Sequence, residues 1–329
     1  MSDAPSAQNA AHAMIRTEKL TKFYANFEAV HELDLVIQPG ILFGFIGPNG
    51  AGKTTTIRML CGLLKPTSGH AFVNGVDVAR HPREVKRLIG YMPETYGTYD
   101  RMRVWEYLDF FGAAYRLPRQ KRRDQIEKVL QLTGTEYMRD DFVGALSKGM
   151  RQRMGIAKTL VHDPSVLFLD EPTANLDPVA RIEMRELFRK LRALNKTVCI
   201  SSHILPELAS VCDEIAIIEK SRLMAVGPIK KILDEVRQTC EVQVEFLNRA
   251  DEAAKFLQGA PGVSNVKAAQ NLVRFDFQGG DADAARLLKE LVQRGFPVSW
   301  MREMEMDLEQ AFILVTRHAR EASEPKGTA

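Results

Sequence analysis

Eight residues constrain this chain more than any others. Gly47-Pro48-Asn49-Gly50-Ala51-Gly52-Lys53-Thr54 fits the pattern GxxxxGK[ST]. The loop follows a continuous apolar run, ILFGFI, and leads through Thr55 into TTTIRMLCGLL, which has helical spacing and stops near Pro66. The arrangement predicts a buried strand, a tight loop and a helix. Glycines let the loop turn its N–H groups inward on an anion, and the helix N-terminus adds partial positive charge. Lys53 can then reach the terminal phosphates of a nucleotide, and the Thr54 hydroxyl can bind Mg²⁺. A glycine-rich turn with no ligand is the bland alternative; the lysine, the threonine and the flanking elements together weigh against it.

A phosphate loop serves kinases, GTPases and transport ATPases alike. A second signal is Val166-Leu167-Phe168-Leu169-Asp170-Glu171-Pro172, an apolar strand that ends in two adjacent carboxylates. Asp170 suits a Mg²⁺ shell, directly or through water, and Glu171 suits polarisation of an attacking water. On these residues alone, a strand followed by an acidic cap for the helix after Asp177 remains open.

The wider pattern predicts an α/β chain in two parts. Residues 1–13 and 318–329 read as tails. From 14 to 228, β-type runs (AMIRTEKL, LDLVI, ILFGFI, SVLFLD, TVCIS, EIAIIE) alternate with helical ones, which predicts a parallel sheet covered by helices. The first of these runs give an antiparallel β portion at the N-terminus. About 96–160 reads as a helical subdomain. The pattern resets near 228: CEVQVEFL alternates strictly, and 240–317 reads β-α-β-β-α-β plus a final helix, DLEQAFILV.

Composition excludes several classes. In 329 residues, 45% are hydrophobic and 26% charged, and the net charge is +3, so nothing suggests a disordered chain or a concentrated basic footprint for nucleic acid. RLPRQKRR (Arg116–Arg123) lacks interleaved aromatics and reads as a solvated linker. Cys61, Cys199, Cys212 and Cys240 form no CxxC pair, which favours reduced thiols in the cytosol. The longest uncharged run, Val36–Gly52, is broken by proline and glycines and does not suit a membrane span. The first residues lack the regions of a signal peptide. His12, His31, His70, His81, His162 and His318 have no metal-ligand spacing, and surface or capping roles are expected of them. Tyr96, Tyr99, Met102 and Trp105 are expected in an exposed loop, either packed within the helical part or forming a groove for a partner's helix.

Leu146-Ser147-Lys148-Gly149-Met150-Arg151-Gln152-Arg153 resembles the LSGGQ signature of ABC transporter ATPases. Beside it, Asn175-Leu176-Asp177 is similar to that family's D-loop and His203, after TVCISS, to its switch histidine. Tyr24 matches the aromatic that stacks on adenine. Glu94, in IGYMPE, stands where the family usually has the Q-loop glutamine. Lys148 and Met150 are further departures; such SKGM signatures resemble those of bacterial drug and antibiotic exporters. MEMDLEQAFILVT is similar to the segment that closes the small extra domain of such ATPases.

The resemblance covers about 14–228 and implies a P-loop NTPase core that binds ATP and Mg²⁺. It implies that Gly47 to Thr55, Tyr24, Glu94 and Asp177 line the nucleotide site, and that Thr54, Asp170 and Glu94 hold the metal. Lys53, Glu171 and His203 act on the γ-phosphate and its water. Ser147 and Gly149 meet the nucleotide held by a second ATPase subunit, in a homodimer or a paired assembly. A membrane permease on a separate chain would place the protein in the cytoplasm, on the inner face of the membrane. No nucleic acid is expected. The rival reading is a soluble ABC ATPase of repair or translation. One phosphate loop and the absence of a long heptad tract favour transport.

Overall fold

The computed structural model describes residues 12–236 and 240–304. Two compact units divide the chain, one within Met1–Ile229 and one within Lys230–His318.

The first unit opens with β1 (Ile15–Tyr24) and β2 (Phe27–Ile37), an antiparallel hairpin joined by Ala25 and Asn26. Then β3 (Leu42–Ile46) runs buried along its whole length into the phosphate loop and α1 (Lys53–Leu60). After it come β4 (Ser68–Val73), β5 (Val76–Asp77), α2 (Pro82–Leu88) and β6 (Ile89–Met92). Three helices follow: α3 (Val104–Ala114), α4 (Arg119–Thr133) and α5 (Lys148–Leu160). The chain then returns to alternation with β7 (Val166–Asp170), α6 (Pro178–Ala193), β8 (Thr197–Ser202), α7 (Leu205–Ala209), β9 (Glu214–Glu219) and β10 (Arg222–Pro228).

These strands build two sheets. The antiparallel sheet has the order β2-β1-β4-β5. The larger one has the order β10-β9-β3-β8-β7-β6, with every pair parallel except the edge strand β10. The central strands are apolar on both faces because both faces are covered. One core joins the sheets: Ile15, Leu20 and Val30 belong to the same buried cluster as Phe43, Phe45, Phe168 and the α1 residues Ile57 and Leu60.

The pairing register sets the site. Asp170 pairs with Ser201 across β7 and β8, and Ile46 pairs with Ser202 across β3 and β8. The carboxyl ends of three adjacent strands therefore stop at one level, which is where open α/β sheets bind ligands.

In the second unit, β11 (Cys240–Phe246), α9 (Ala250–Leu257), β12 (Val263–Ala269), β13 (Leu272–Phe277), α10 (Asp281–Gln293) and β14 (Val298–Glu303) follow α8 (Ile229–Val236). The sheet is antiparallel with the order β12-β13-β11-β14. Val242, Val244 and Phe246 point into one core with Phe275, Leu257 and Leu291, as the strict alternation requires. The final helix expected in DLEQAFILV, residues 1–11 of the first tail and the whole of the second lie outside the described residues.

Three expectations need correction. The basic segment Arg116–Arg123 is not a linker: α4 begins at Arg119, and Arg122 pairs with Asp109 of α3 at 2.7 Å. Pro118, the residue before the first turn, fixes the helix start. His162 has no surface or capping role. It stacks on Tyr115 with ring centroids 3.7 Å apart, and Nε2 donates to Ile89 O at 2.8 Å. The stretch from Tyr96 to Trp105 is not one exposed loop. Tyr96 is only partly exposed and donates to Arg151 O of α5, while Trp105 lies in the first turn of α3.

Candidate active site

The phosphate loop is shaped by contacts that exclude side chains. A Cβ at Gly47 would sit 2.0 Å from Ile218 O. Gly52 has φ 109°, and a Cβ there would meet Ala29 O at 2.4 Å. Larger residues would push the loop off β9 and β2, so the chain has glycine at both positions. Gly52 is the N-cap of α1 and offers no side chain to cap it. The first N–H groups of that helix therefore remain available to an anion.

Lys53 folds back over the loop. Its Nζ donates to Gly47 O at 2.6 Å and Pro48 O at 3.2 Å, and lies 3.6 Å from Glu171 Oε1. The side chain is 6% exposed. Burial pulls its pKa below the usual lysine value, and Glu171, Asp170 and Glu94, in that order, oppose the shift. The structure thus brings Glu94 within electrostatic reach of Lys53, from an exposed position just after β6.

Asp170 is 1% exposed and accepts from two hydroxyls at Oδ1: Thr54 Oγ1 at 3.1 Å and Ser201 Oγ at 2.6 Å. Ser201 in turn accepts from the Glu171 backbone N–H at 2.9 Å. Glu171 adopts φ 48°, an uncommon conformation for a side chain of this size. That turn directs its carboxylate between Lys53 and His203, whose Nδ1 lies 3.0 Å from Oε2. The other oxygen, Oε1, is buried with no hydrogen-bond partner among the described residues. A buried acceptor left unmet is costly unless something else supplies a donor.

The donor set fits a nucleotide with a divalent cation. Two buried carboxylates face one buried ammonium, which leaves a negative surplus beside a loop that favours anions. Hard oxygen ligands at Thr54 and Asp170 are already 3.1 Å apart. Among the described residues, no group of three His, Cys, Asp or Glu could hold a metal. Thr54 and Asp170 would leave further positions of a Mg²⁺ shell to nucleotide or water oxygens.

Gly47 to Thr55, Asp170, Glu171 and His203 thus share one locality, with Glu94 acting on it through its charge. Tyr24 lies at the tip of the β1–β2 hairpin, 44% exposed, with Lys22 Nζ 5.3 Å from its ring centroid. Ser147 and Asp177 act locally as caps. Ser147 Oγ accepts from Met150 N at 3.3 Å and Asp177 Oδ1 from Ala180 N at 2.9 Å, so each is an exposed start of a helix. Gly149 lies in the first turn of α5, where a Cβ would touch Ala180 Cβ at 3.4 Å. Within the chain no contact joins Ser147 or Gly149 to the phosphate loop among the described interactions.

Sequence reasoning missed Ser201 and Gln152. Ser201 links the two carboxylate positions, and Gln152 Nε2 donates to Pro172 O at 3.0 Å, tying α5 to the residue after Glu171. A pair of hydroxyls ending an apolar strand was the available signal for Ser201. Gln152 had none, because its partner is a backbone carbonyl.

Known proteins resemble this chain in sequence and in fold. The family described as ABC transporter matches residues 30–174. The bacitracin transport ATP-binding protein BcrA of Bacillus licheniformis is 38% identical over 238 residues, 72% of this chain and 77% of that one. An uncharacterized ABC transporter ATP-binding protein of Bacillus subtilis, YxlF, is 32% identical over 303 residues, 92% of this chain and 99% of that one. This chain belongs to the ABC transporter ATP-binding family. A solved structure of an ATP binding subunit of an ABC transporter, 28% identical, superposes with a TM-score of 0.61 over 68% of this chain and 92% of that one. The chain is accordingly an ATP-binding and ATP-hydrolysing subunit of an ABC transporter complex. Among the described residues no helix is long and apolar enough to cross a membrane.

Proposed function

We propose that this ABC ATPase drives export through a membrane permease carried on a separate chain, and that it works at the cytoplasmic face of the membrane as one of two paired ATPase subunits. The observation that carries the hydrolytic part of this reading is Oε1 of Glu171. It is a buried carboxylate oxygen held in a left-handed turn, 3.6 Å from the Lys53 ammonium and with no hydrogen-bond partner among the described residues. A water aligned on the γ-phosphate would be that partner.

Each residue then has a task. The loop backbone from Gly47 to Thr55, with Lys53, binds the phosphates. Thr54 and Asp170, with Glu94 from its exposed turn, would hold Mg²⁺, which supplies charge neutralisation when bound. Glu171 orients the attacking water and takes up its proton. His203 lies with Nδ1 3.0 Å from Glu171 Oε2, and a γ-phosphate oxygen, an acceptor, would take an N–H donated from Nε2. Tyr24 stacks on the adenine. The exposed Ser147 and the half-buried Gly149 at the start of α5, and the exposed cap at Asp177, are offered to the nucleotide of the second subunit. The name of BcrA speaks of bacitracin transport, and export is the direction favoured by the SKGM signature.

ATP would then join the two subunits, and hydrolysis would release them. Ser147→Arg tests this, because it fills an exposed cap without touching the core. ATP should no longer raise the mass seen by light scattering, while nucleotide binding to the monomer persists. ATP-dependent dimers that survive the substitution would remove Ser147 from the interface.

A further inference from the structure

Helices α6 and α7 and strand β8 line a half-open cavity of about 280 Å³ to which no phosphate-loop residue contributes. Its lining includes Phe188, Ile200, Leu208 and Val211, all at most 8% exposed. Polar groups converge on this apolar pocket. Thr173 Oγ1 donates to Glu207 Oε2 at 2.7 Å, and Arg181 Nη1 lies 3.1 Å from Glu207 Oε1. Both Arg181 Nε and Glu207 Oε1 are buried with no hydrogen-bond partner among the described residues. Arg185 donates to Ser210 Oγ at 3.4 Å, and no carboxylate pairs with it among the described residues. Two guanidiniums against one carboxylate leave a positive surplus next to an apolar pocket, and one buried N–H has nothing to bond. Ile182, 52% exposed, stands at its edge.

We propose that this cavity is an effector site for a small amphipathic anion, a monocarboxylate with an apolar body of medium-chain size. The apolar part replaces water over Phe188, Ile200 and Leu208. The carboxylate takes the orphan Arg181 N–H and the free charge of Arg185. Its location gives binding a consequence. Thr173 lies two residues after Glu171, and Glu207 lies four residues after His203. The Thr173–Glu207 hydrogen bond therefore ties the segments that carry those two side chains. An anion that competes for Arg181 frees Glu207 from its ion pair and alters how firmly that tie holds. This regulatory step rests on the roles given to Glu171 and His203; occupancy of the cavity does not.

Decanoate, kept below its micelle concentration, is the probe, with decanol as the neutral control. Calorimetric titration of the full chain should show saturable decanoate binding. Arg185→Gln should weaken it by about tenfold, the loss of one charge-assisted contact, and leave decanol unaffected. Ile182→Glu, which puts a negative charge at the cavity edge, should abolish it. Unchanged affinity of both variants for a fluorescent ATP analogue would show that they fold. Decanoate should change the ATPase rate of the wild type and not that of Ile182→Glu. The site is overturned if decanoate fails to saturate, if both variants bind it as the wild type does, or if decanol binds as tightly. A saturated cavity with an unaltered ATPase rate overturns the effector role. A wild type that hydrolyses no ATP would refute the assigned activity, and the titrations would still decide the cavity.

Discussion

The two units solve burial in opposite ways. In the first, the strand ends around Lys53, Asp170 and Glu171 place three charges at 7% exposure or less. In the second, Gln243 is the buried polar side chain among the described residues, and its core is Val242, Val244, Phe246, Phe275 and their apolar neighbours. Burying charge opposes folding unless partners compensate. The first unit compensates in part, through the Thr54, Ser201 and His203 hydrogen bonds, and leaves Glu171 Oε1 unmet. The difference separates a surface built to receive a ligand from one built to pack.

Glu171→Gln should break this contrast most severely. The amide keeps the shape and cannot accept a proton from water. Turnover should fall by about 100-fold or more in a phosphate-release assay, with ATP affinity at neutral pH nearly unchanged. The substitution also removes the largest charge that supports a protonated Lys53. ATP affinity of the variant should therefore weaken at a lower alkaline pH than that of the wild type. Near-normal turnover would refute the role of Glu171.

His162 gives the next largest effect, and it tests burial of a group outside the site. Burial holds its pKa down to about 4, against 6.5 in the unfolded chain, and its Nδ1 has no hydrogen-bond partner among the described residues. Between those values the unfolded chain binds the proton and the folded chain does not. Stability is therefore full above pH 6.5 and declines as pH falls toward 4. The decline amounts to at most about 3 kcal/mol. Urea midpoints measured from pH 7 to pH 5 should fall more steeply for the wild type than for His162→Gln. Parallel slopes would show that His162 protonates without penalty.

The sequence disclosed what depends on local order. Gly47 to Thr54, the apolar run into Asp170 and the strict alternation of 240–246 each carry their period or pattern within a few residues. Contacts between distant backbone and side chains left no such trace. Ser201 matters because β8 lies between β3 and β7, and that strand order cannot be read from spacing. Gln152 and His162 reach carbonyls of Pro172 and Ile89, which any residue type could have provided. The basic segment at 116–123 misled because Arg122 and Asp109 lie on separate helices and pair only after those helices pack.

Glu94→Gln should have a smaller effect. Glu94 is exposed and is the weakest of the three carboxylates acting on Lys53. Its charge repels ATP when no metal is present and adds a hard ligand when one is. The amide should raise metal-free ATP affinity and lower the advantage conferred by Mg²⁺, each by a few-fold. Calorimetric titrations of both proteins, with and without Mg²⁺, measure the ratio. An unchanged ratio would mean that Glu94 acts on Lys53 without meeting the metal.

Removal of the second unit should have the smallest effect of all, and it bears on the comparison itself. Each unit has its own buried cluster: one has members between Ile15 and Ile218, and the other between Val242 and Phe296. Every residue assigned to the nucleotide, from Tyr24 to His203, precedes the division at Ile229. A chain ending at Pro228 keeps β10 paired to β9 along the edge of the larger sheet, so no strand of that sheet loses its neighbour. Its ATP affinity should match that of the full chain within about twofold, a difference of no more than RT in binding free energy. If the shortened chain folds, as judged by its circular dichroism and a single unfolding transition, and yet binds ATP tenfold more weakly, the charged strand ends depend on the apolar unit. The contrast between a surface built to bind and one built to pack would then describe two parts of one site.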